Sequence, residues 1–80
     1  MRIRIYSVKE VLYEGEGTSL NLKTQGGELT VLSNHRPLIT AVVKGTITVI
    51  DKEGWEKRFP VENDGFLEVT GENEVKVLLS

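Results

Sequence analysis

The fold is decided by the stretch Gly26–Gly45, which reads GGELTVLSNHRPLITAVVKG and holds the only histidine and one of the two prolines of the chain. Gly26 and Gly27 begin it with a turn signal, because glycine adopts the positive φ that tight hairpins need. The next five residues alternate, which places Leu29 and Val31 on one face of a strand. The stretch therefore opens with a hairpin turn and a half-buried strand.

A polar corner separates this strand from the next one. It spans Ser33–Arg36, and Pro37 after it holds the last of these residues in an extended conformation. Proline has no amide to give to a ladder, so we expect Pro37 to begin the next strand or to lie at an edge. The apolar run Leu38–Val43 forms that strand, and Lys44 with Gly45 ends it.

Alternating segments fill the rest of the chain. Ile3 and Ile5 face inward in the first of them, and Leu20 and Leu22 face inward in a later one. Turn signals recur about every eight to twelve residues, and no window has the period of a helix. We therefore expect an all-β fold, a single β-sandwich of about eight to ten short, mostly antiparallel strands without a C-terminal helical hairpin.

Glycines beside acidic residues predict the remaining turns. They lie at Asp51–Gly54, Glu62–Gly65 and Gly71–Asn73, and Gly15 and Gly17 mark the end of a short strand over residues 11–14. Trp55 and Phe59 share one strand face with Val61, so we expect core packing for both rings, although aromatic residues such as these and Phe66 also serve as binding anchors.

Size and composition restrict the classes of function. Eighty residues make one domain, assigned to residues 1–80. The net charge is −2 and the charges are interspersed, so no basic stripe is available for nucleic acid. No apolar run approaches the roughly 20 residues that cross a bilayer, so we expect no direct membrane insertion. The absence of cysteine excludes disulfides and thiolate metal sites.

His35 is the candidate for chemistry, and the residues around it do not complete a site. A metal would need two or three more ligands, and no spacing of carboxylates supplies them. No nucleophile-elbow motif surrounds any serine. We therefore predict no catalytic, cofactor-binding or metal residues, and expect His35 and Asn34 to hydrogen-bond the loop backbone. A small-ligand or catalytic β-barrel using His35 and a carboxylate stays open as an alternative.

The turn at Gln25–Gly27 is not a phosphate-binding loop, because no Gly-Lys-Ser/Thr leading into a helix follows it. Glu28 after it is, from the residues alone, an exposed turn acid of little energetic weight.

The stretch Gly27–Gly45 resembles the signature of the epsilon subunits of F-type ATP synthases, a pattern close to GE-hydrophobic-G-hydrophobic-L-PNHAPL-LT-hydrophobic-hydrophobic-KPG. The positions that fit in register are Gly27, Glu28, Leu29, Val31, Leu32, Asn34, His35, Pro37, Leu38, Ile39, Thr40, Lys44 and Gly45. The chain departs from the pattern at Thr30, Ser33 and Arg36 and lacks a proline before Gly45. Residues 7–16, SVKEVLYEGE, are similar to the family's TPEKVVFEGE.

The resemblance implies a central-stalk rotor subunit that is not an enzyme and needs no cofactor. Its partners would be the gamma subunit and the polar loops of the c-ring, at the cytoplasmic face of a bacterial plasma membrane, with a monomer as the isolated form. The residues carried over from the family are Ser7, His35 and Thr40 for gamma, and Gln25, Gly26, Gly27 and Glu28 for the c-ring. Such subunits usually continue into two helices that restrain hydrolysis, so we expect this sandwich alone to inhibit weakly. A generic β-sandwich interaction module with an unrelated partner is the alternative.

Overall fold

The computed structural model describes all residues from 1 to 80 and contains six β-strands. The strands are β1 (Arg2–Ser7), β2 (Val11–Thr24), β3 (Gly27–Leu32), β4 (Leu38–Asp51), β5 (Glu56–Val69) and β6 (Glu74–Leu79). The chain forms no helix long and apolar enough to cross a membrane.

The strands form one sheet in the order β1-β6-β5-β4-β2-β3. The first half of β2 also pairs with β1, so the sheet folds back on itself and encloses a core. β1 and β6 are parallel, and the other pairs are antiparallel. The predicted all-β sandwich is confirmed.

The sandwich is built from fewer and longer strands than the sequence predicts. There are six strands instead of about eight to ten, because β2, β4 and β5 each run for 14 residues. Register shifts interrupt β4 between Val43 and Gly45, and β2 between Gly17 and Ser19 and between Asn21 and Thr24. Such irregularities bend a strand without ending it, so one strand serves both layers.

One predicted strand end and one predicted turn are wrong. Gly15–Gly17 lies within β2 and Glu62–Gly65 lies within β5. Gly65 is a glycine for a different reason, since a Cβ there would collide with the carbonyl oxygen of Leu78 on β6. A glycine that permits close backbone approach looks the same in sequence as a turn glycine.

Fifteen apolar side chains form the core. As predicted, Ile3, Ile5, Leu20 and Leu22 are among them and are fully buried. The remaining members are Met1, Val31, Val42, Ile47, Val49, Val61, Leu67, Val69, Val75, Val77 and Leu79.

The expected burial of Trp55 is wrong. Its side chain is 70% exposed, because the residue lies in the β4–β5 connection just before β5 begins. Phe59 is half-buried and packs against Tyr13, with ring centroids 5.8 Å apart.

Asp51 organises the β4–β5 connection. It is buried, and its Oδ1 accepts hydrogen bonds from the backbone amides of Trp55 and Glu53, both at 2.9 Å. The ammonium of Lys57 lies 3.6 Å from Oδ2. The pKa of Asp51 is lowered below its ordinary value, chiefly by the hydrogen bond from the backbone amide of Trp55. Burial opposes this effect, and the backbone amide of Glu53 and the charge of Lys57 add to it. The carboxylate thus holds the connection in a conformation in which the indole is exposed to solvent.

Candidate protein-binding surface

An apolar strip crosses the outer face of the sheet at right angles to the strands. Each member is paired with the next on the neighbouring strand, in the order β2, β1, β6, β5 and β4. One further residue of β4 lies beside this row. The members are Val11, Tyr6, Leu78, Phe66, Ala41 and Ile39. Four steps between strands of about 4.8 Å give the strip a length of roughly 19 Å.

The strip is exposed in spite of its apolar character. Ile39 is 73% exposed and Phe66 is 63% exposed. Tyr6, Ile39, Phe66 and Leu78 line a shallow depression of about 380 Å³. Contiguous exposed apolar surface is typical of sites at which proteins bind other molecules.

A charged row borders the strip on one side. It runs from Glu14 through Arg4 and Lys76 to Glu68 on successive strands. The Nε of Arg4 lies 3.4 Å from a carboxylate oxygen of Glu14 and makes no hydrogen bond, although it is buried. An apolar centre with a polar rim has the composition of a protein–protein interface.

His35 lies in the corner between β3 and β4, where it bonds the loop backbone as expected. Its amide donates to the carbonyl oxygen of Leu32 at 3.1 Å, and its Nδ1 lies 2.7 Å from the carbonyl oxygen of Arg36. Because a carbonyl only accepts, Nδ1 carries the proton in this contact. Asn34 adopts a φ of 64° and donates its backbone N–H to the Oδ1 of Asn73, which ties the corner to the β5–β6 hairpin. It makes no hydrogen bond to the loop backbone, so that expectation is wrong for Asn34.

The structure does not bring Ser7, His35 and Thr40 together. Ser7 ends β1, where its Oγ accepts from the amides of Lys9 and Glu10 and closes the β1–β2 turn. Arg2, at the other end of β1 and about 16 Å from Ser7 along the strand, donates its amide to the carbonyl of Asn73. Asn73 in turn contacts the His35 corner. The apolar strip crosses β1 between these two ends.

Thr40 lies on β4 between two members of the strip, Ile39 and Ala41. It is half-buried and pairs with the fully buried Leu67, so its side chain points toward the inner face of the sheet. A partner on the outer face would therefore meet the side chains of its neighbours first.

The four residues assigned to the c-ring form one exposed tip. Gln25 and Gly26 make the two-residue turn between β2 and β3, and Gly27, with a φ of 115°, follows it. The Oγ1 of Thr24 holds the turn, donating to the carbonyl of Gly27 at 2.9 Å and accepting from the amide of Gly26 at 3.2 Å. Glu28 is exposed and has no ion-pair partner.

Sequence reasoning missed part of this surface. It weighed Phe66 as an anchor, but Ile39 entered it only as a position of the family pattern, and it gave Leu78 and Val11 no functional part. The sequence signal was that consecutive residues on these strands are apolar, so that both faces of the strands are apolar. Phe66 and Leu78 adjoin Leu67 and Val77, which are fully buried.

The arrangement offers no site for a metal ion. No group of three or more His, Asp or Glu side chains is placed to hold one. The surface is suited to binding other proteins.

Residues 1–80 match the family described as ATP synthase, Delta/Epsilon chain, beta-sandwich domain. An ATP synthase epsilon chain of Acinetobacter baumannii is 44% identical over 69 residues, which are 86% of this chain and 49% of that one. One of Natranaerobius thermophilus is 29% identical over the same shares. The chain thus spans about half the length of the curated relatives it matches.

Two solved structures have the same fold. A chain in the mitochondrial ATP synthase of Euglena gracilis, solved as OSCP/F1/c-ring, superposes with a TM-score of 0.89 at 18% identity, over 96% of this chain and 48% of that one. A chain in the central stalk/c-ring of the Tetrahymena thermophila enzyme superposes with a TM-score of 0.80 at 12% identity, over 99% and 62%.

Proposed function

The chain belongs to the ATP synthase delta/epsilon family, of which it forms the β-sandwich domain, and we propose that it is a non-catalytic central-stalk subunit of a rotary F-type ATP synthase. In this role it binds the gamma subunit on one surface and the c-ring on another. The complex thereby couples ion translocation to ATP synthesis. The apolar strip is the observation that carries the proposal, because it is an exposed apolar surface that a partner protein can cover.

The gamma subunit covers the apolar strip. Phe66, Leu78 and Ile39 lie at the centre of the outer face and supply the large apolar area from which binding energy comes. The charged row beside them sets orientation more than affinity, since Glu14 and Glu68 are exposed and Arg4 is already paired with Glu14. Ser7 and the His35 corner then lie at the two rims of the same contact.

The hairpin tip Gln25–Glu28 meets the polar loops of the c-ring. Glu28 offers a carboxylate that no residue of this chain pairs. A basic residue of a c-subunit loop would satisfy it and would fix the angle at which the sandwich sits. The short turn held by Thr24 keeps the tip rigid, which lowers the entropy cost of binding.

Torque transfer follows from the stiffness of the sandwich. The tip and the strip belong to one sheet with a single buried core, so a force applied at the tip reaches the strip without a hinge. In a bacterium the subunit would lie at the cytoplasmic face of the plasma membrane, held there by its partners. The isolated sandwich is a monomer, and residues 1–80 alone inhibit ATP hydrolysis weakly, because they include no helix to extend along gamma.

Co-expression with a bacterial gamma subunit tests the proposal, with size-exclusion chromatography and native mass spectrometry as readouts. A stable one-to-one complex is the expected result. A chain that stays monomeric beside gamma subunits from several bacteria would contradict the rotor role and favour an interaction module with another partner.

A further inference from the structure

β3 forms a free edge of the sheet. It is last in the strand order and pairs only with β2. The strand begins at the hairpin tip Gln25–Glu28 and ends at Leu32, whose side chain is 56% exposed. An edge of this kind is open to a further strand.

The register shows which backbone groups face outward. The two-residue turn closes on the pair Thr24 and Gly27, which must therefore exchange ladder hydrogen bonds. Hydrogen-bonded pairs alternate along an antiparallel ladder, so the backbone of Glu28, Thr30 and Leu32 points away from β2. One contact supports this assignment directly, since the carbonyl of Leu32 accepts from the amide of His35 outside the sheet. The register thus leaves the amides of Glu28 and Thr30 without an acceptor on β2, and neither amide donates in the backbone hydrogen bonds outside the ladders.

Another unpaired edge of the molecule is protected, and β3 is not. The outer side of Glu56–Val61 in β5 has no neighbouring strand, and this segment carries Lys57, Arg58 and Pro60. Lysine and proline on an edge strand discourage pairing with another chain. β3 reads GELTVL, with no proline, no basic residue and one carboxylate. The β3 edge therefore lacks the lysine and proline that discourage pairing with another chain.

We propose that an extended segment of the gamma subunit adds to β3 as a further strand, pairing with the backbone of Glu28 and Thr30. The inference rests on the proposed function, because it assigns a second contact to the same partner. The corner 33–37 links the end of β3 to the start of β4, where Ile39 of the apolar strip lies, so only five residues of chain separate the two strands. The added strand places an apolar side chain opposite Leu32 and a hydroxyl or β-branched side chain opposite Thr30.

Hydrogen exchange of the wild-type chain tests the pairing. In the isolated chain the amides of Glu28 and Thr30 exchange rapidly, and in the complex with gamma they exchange at least about 100-fold more slowly. Unchanged exchange in a complex that does form would overturn strand addition and leave the rotor role intact. Absence of any complex would instead contradict the proposed function itself. Protection in the isolated chain at high concentration would assign the edge to a second copy and overturn the gamma assignment.

A matched pair of variants distinguishes gamma binding through the backbone amide of Thr30 from binding through its side chain. Thr30→Pro removes the outward amide without removing a ladder bond to β2, so the variant keeps its melting temperature within a few degrees. Thr30→Val keeps the amide and loses only the hydroxyl that accepts from Asn21 at 2.8 Å. We expect Thr30→Pro to weaken gamma binding at least about tenfold and Thr30→Val to change it less than about threefold. Equal affinities of the two folded variants would overturn the proposal.

Discussion

Phe66 lies directly opposite Leu78 on neighbouring antiparallel strands, and both side chains are more than half exposed, at 63% and 52%. The residues next to them in sequence, Leu67 and Val77, also face one another and are fully buried. The two strands are therefore apolar on both faces, while the core of the chain uses only one of them. The other face is available to a partner.

Truncation on the two faces should have different consequences for stability. Leu67→Ala removes a fully buried side chain, and we expect the free energy of unfolding to fall by about 2–5 kcal/mol through lost burial and a residual cavity. Leu78→Ala changes an exposed side chain and should shift it by less than about 0.5 kcal/mol. Urea denaturation measures both. A large loss of unfolding free energy in Leu78→Ala would mean that the strip stabilises the fold and is not a free binding surface.

Gly65→Ala should destabilise the sandwich by about 1–3 kcal/mol, because the new methyl group would press on the carbonyl oxygen of Leu78 and force the strands apart. Gly71→Ala is the matched control, since its methyl group would meet only Pro37 at 3.7 Å, an ordinary contact. Urea midpoints of the two variants check the difference. Equal midpoints would refute the close approach of β5 and β6.

The stability of the chain should depend on pH through Asp51. Its pKa is lower in the folded chain than the ordinary value of 3.8, chiefly because the amide of Trp55 donates to the carboxylate. The unfolded chain then binds the proton more readily, so the stabilisation is fully present above pH 3.8 and is lost as the pH falls through the lower folded pKa.

Thermal denaturation between pH 7 and pH 2 of wild type and Asp51→Asn measures this effect. The variant should be less stable at neutral pH, and the difference should shrink as the medium becomes acidic. Glu53→Gln, an exposed carboxyl in the same connection, should follow the wild type. A difference that stays constant over this range would contradict the assignment.

Glu28→Lys should weaken the contact with the c-ring about two- to fivefold, the range expected when an exposed ion pair is lost. Glu72→Lys makes the same charge change in the β5–β6 turn, away from the hairpin tip, and should have little effect. Binding of the gamma complex of each variant to c-rings in detergent, at two salt concentrations, gives the comparison. Equal losses in the two variants would show a nonspecific charge effect.

Much of the fold could be predicted from alternation alone. Ile3, Ile5, Leu20 and Leu22 are buried as the pattern indicates, and the β5–β6 hairpin lies where Gly71–Asn73 predicts a turn. The errors arise where one residue type serves two purposes. Gly65 permits close approach within a strand, and Trp55 follows the alternation of β5 from a loop just outside it. A strand glycine can be told from a turn glycine, and a loop tryptophan from a strand tryptophan, only once the pairing of the strands is known.

The candidate surface could be predicted only in part. The hairpin tip is contiguous in sequence, so Gln25, Gly26, Gly27 and Glu28 necessarily lie together. The apolar strip takes its members from five strands, and only the pairing of β1 with β2 and β6 and of β5 with β4 and β6 brings them side by side. For the same reason the sequence gives no sign that Ser7 and His35 lie at opposite ends of β1.

The affinity of Phe66→Glu for the gamma subunit is the most direct test of the central claim that the apolar strip binds gamma. A charge at the centre of the strip should weaken binding by at least about 100-fold, as expected for an interface hot spot. Trp55→Glu is the matched control, since its ring is 70% exposed in the β4–β5 connection and should lose less than about threefold. Isothermal titration with purified gamma, after both variants are shown to keep the wild-type melting temperature, decides the matter. Full affinity in Phe66→Glu would show that gamma does not bind the apolar strip.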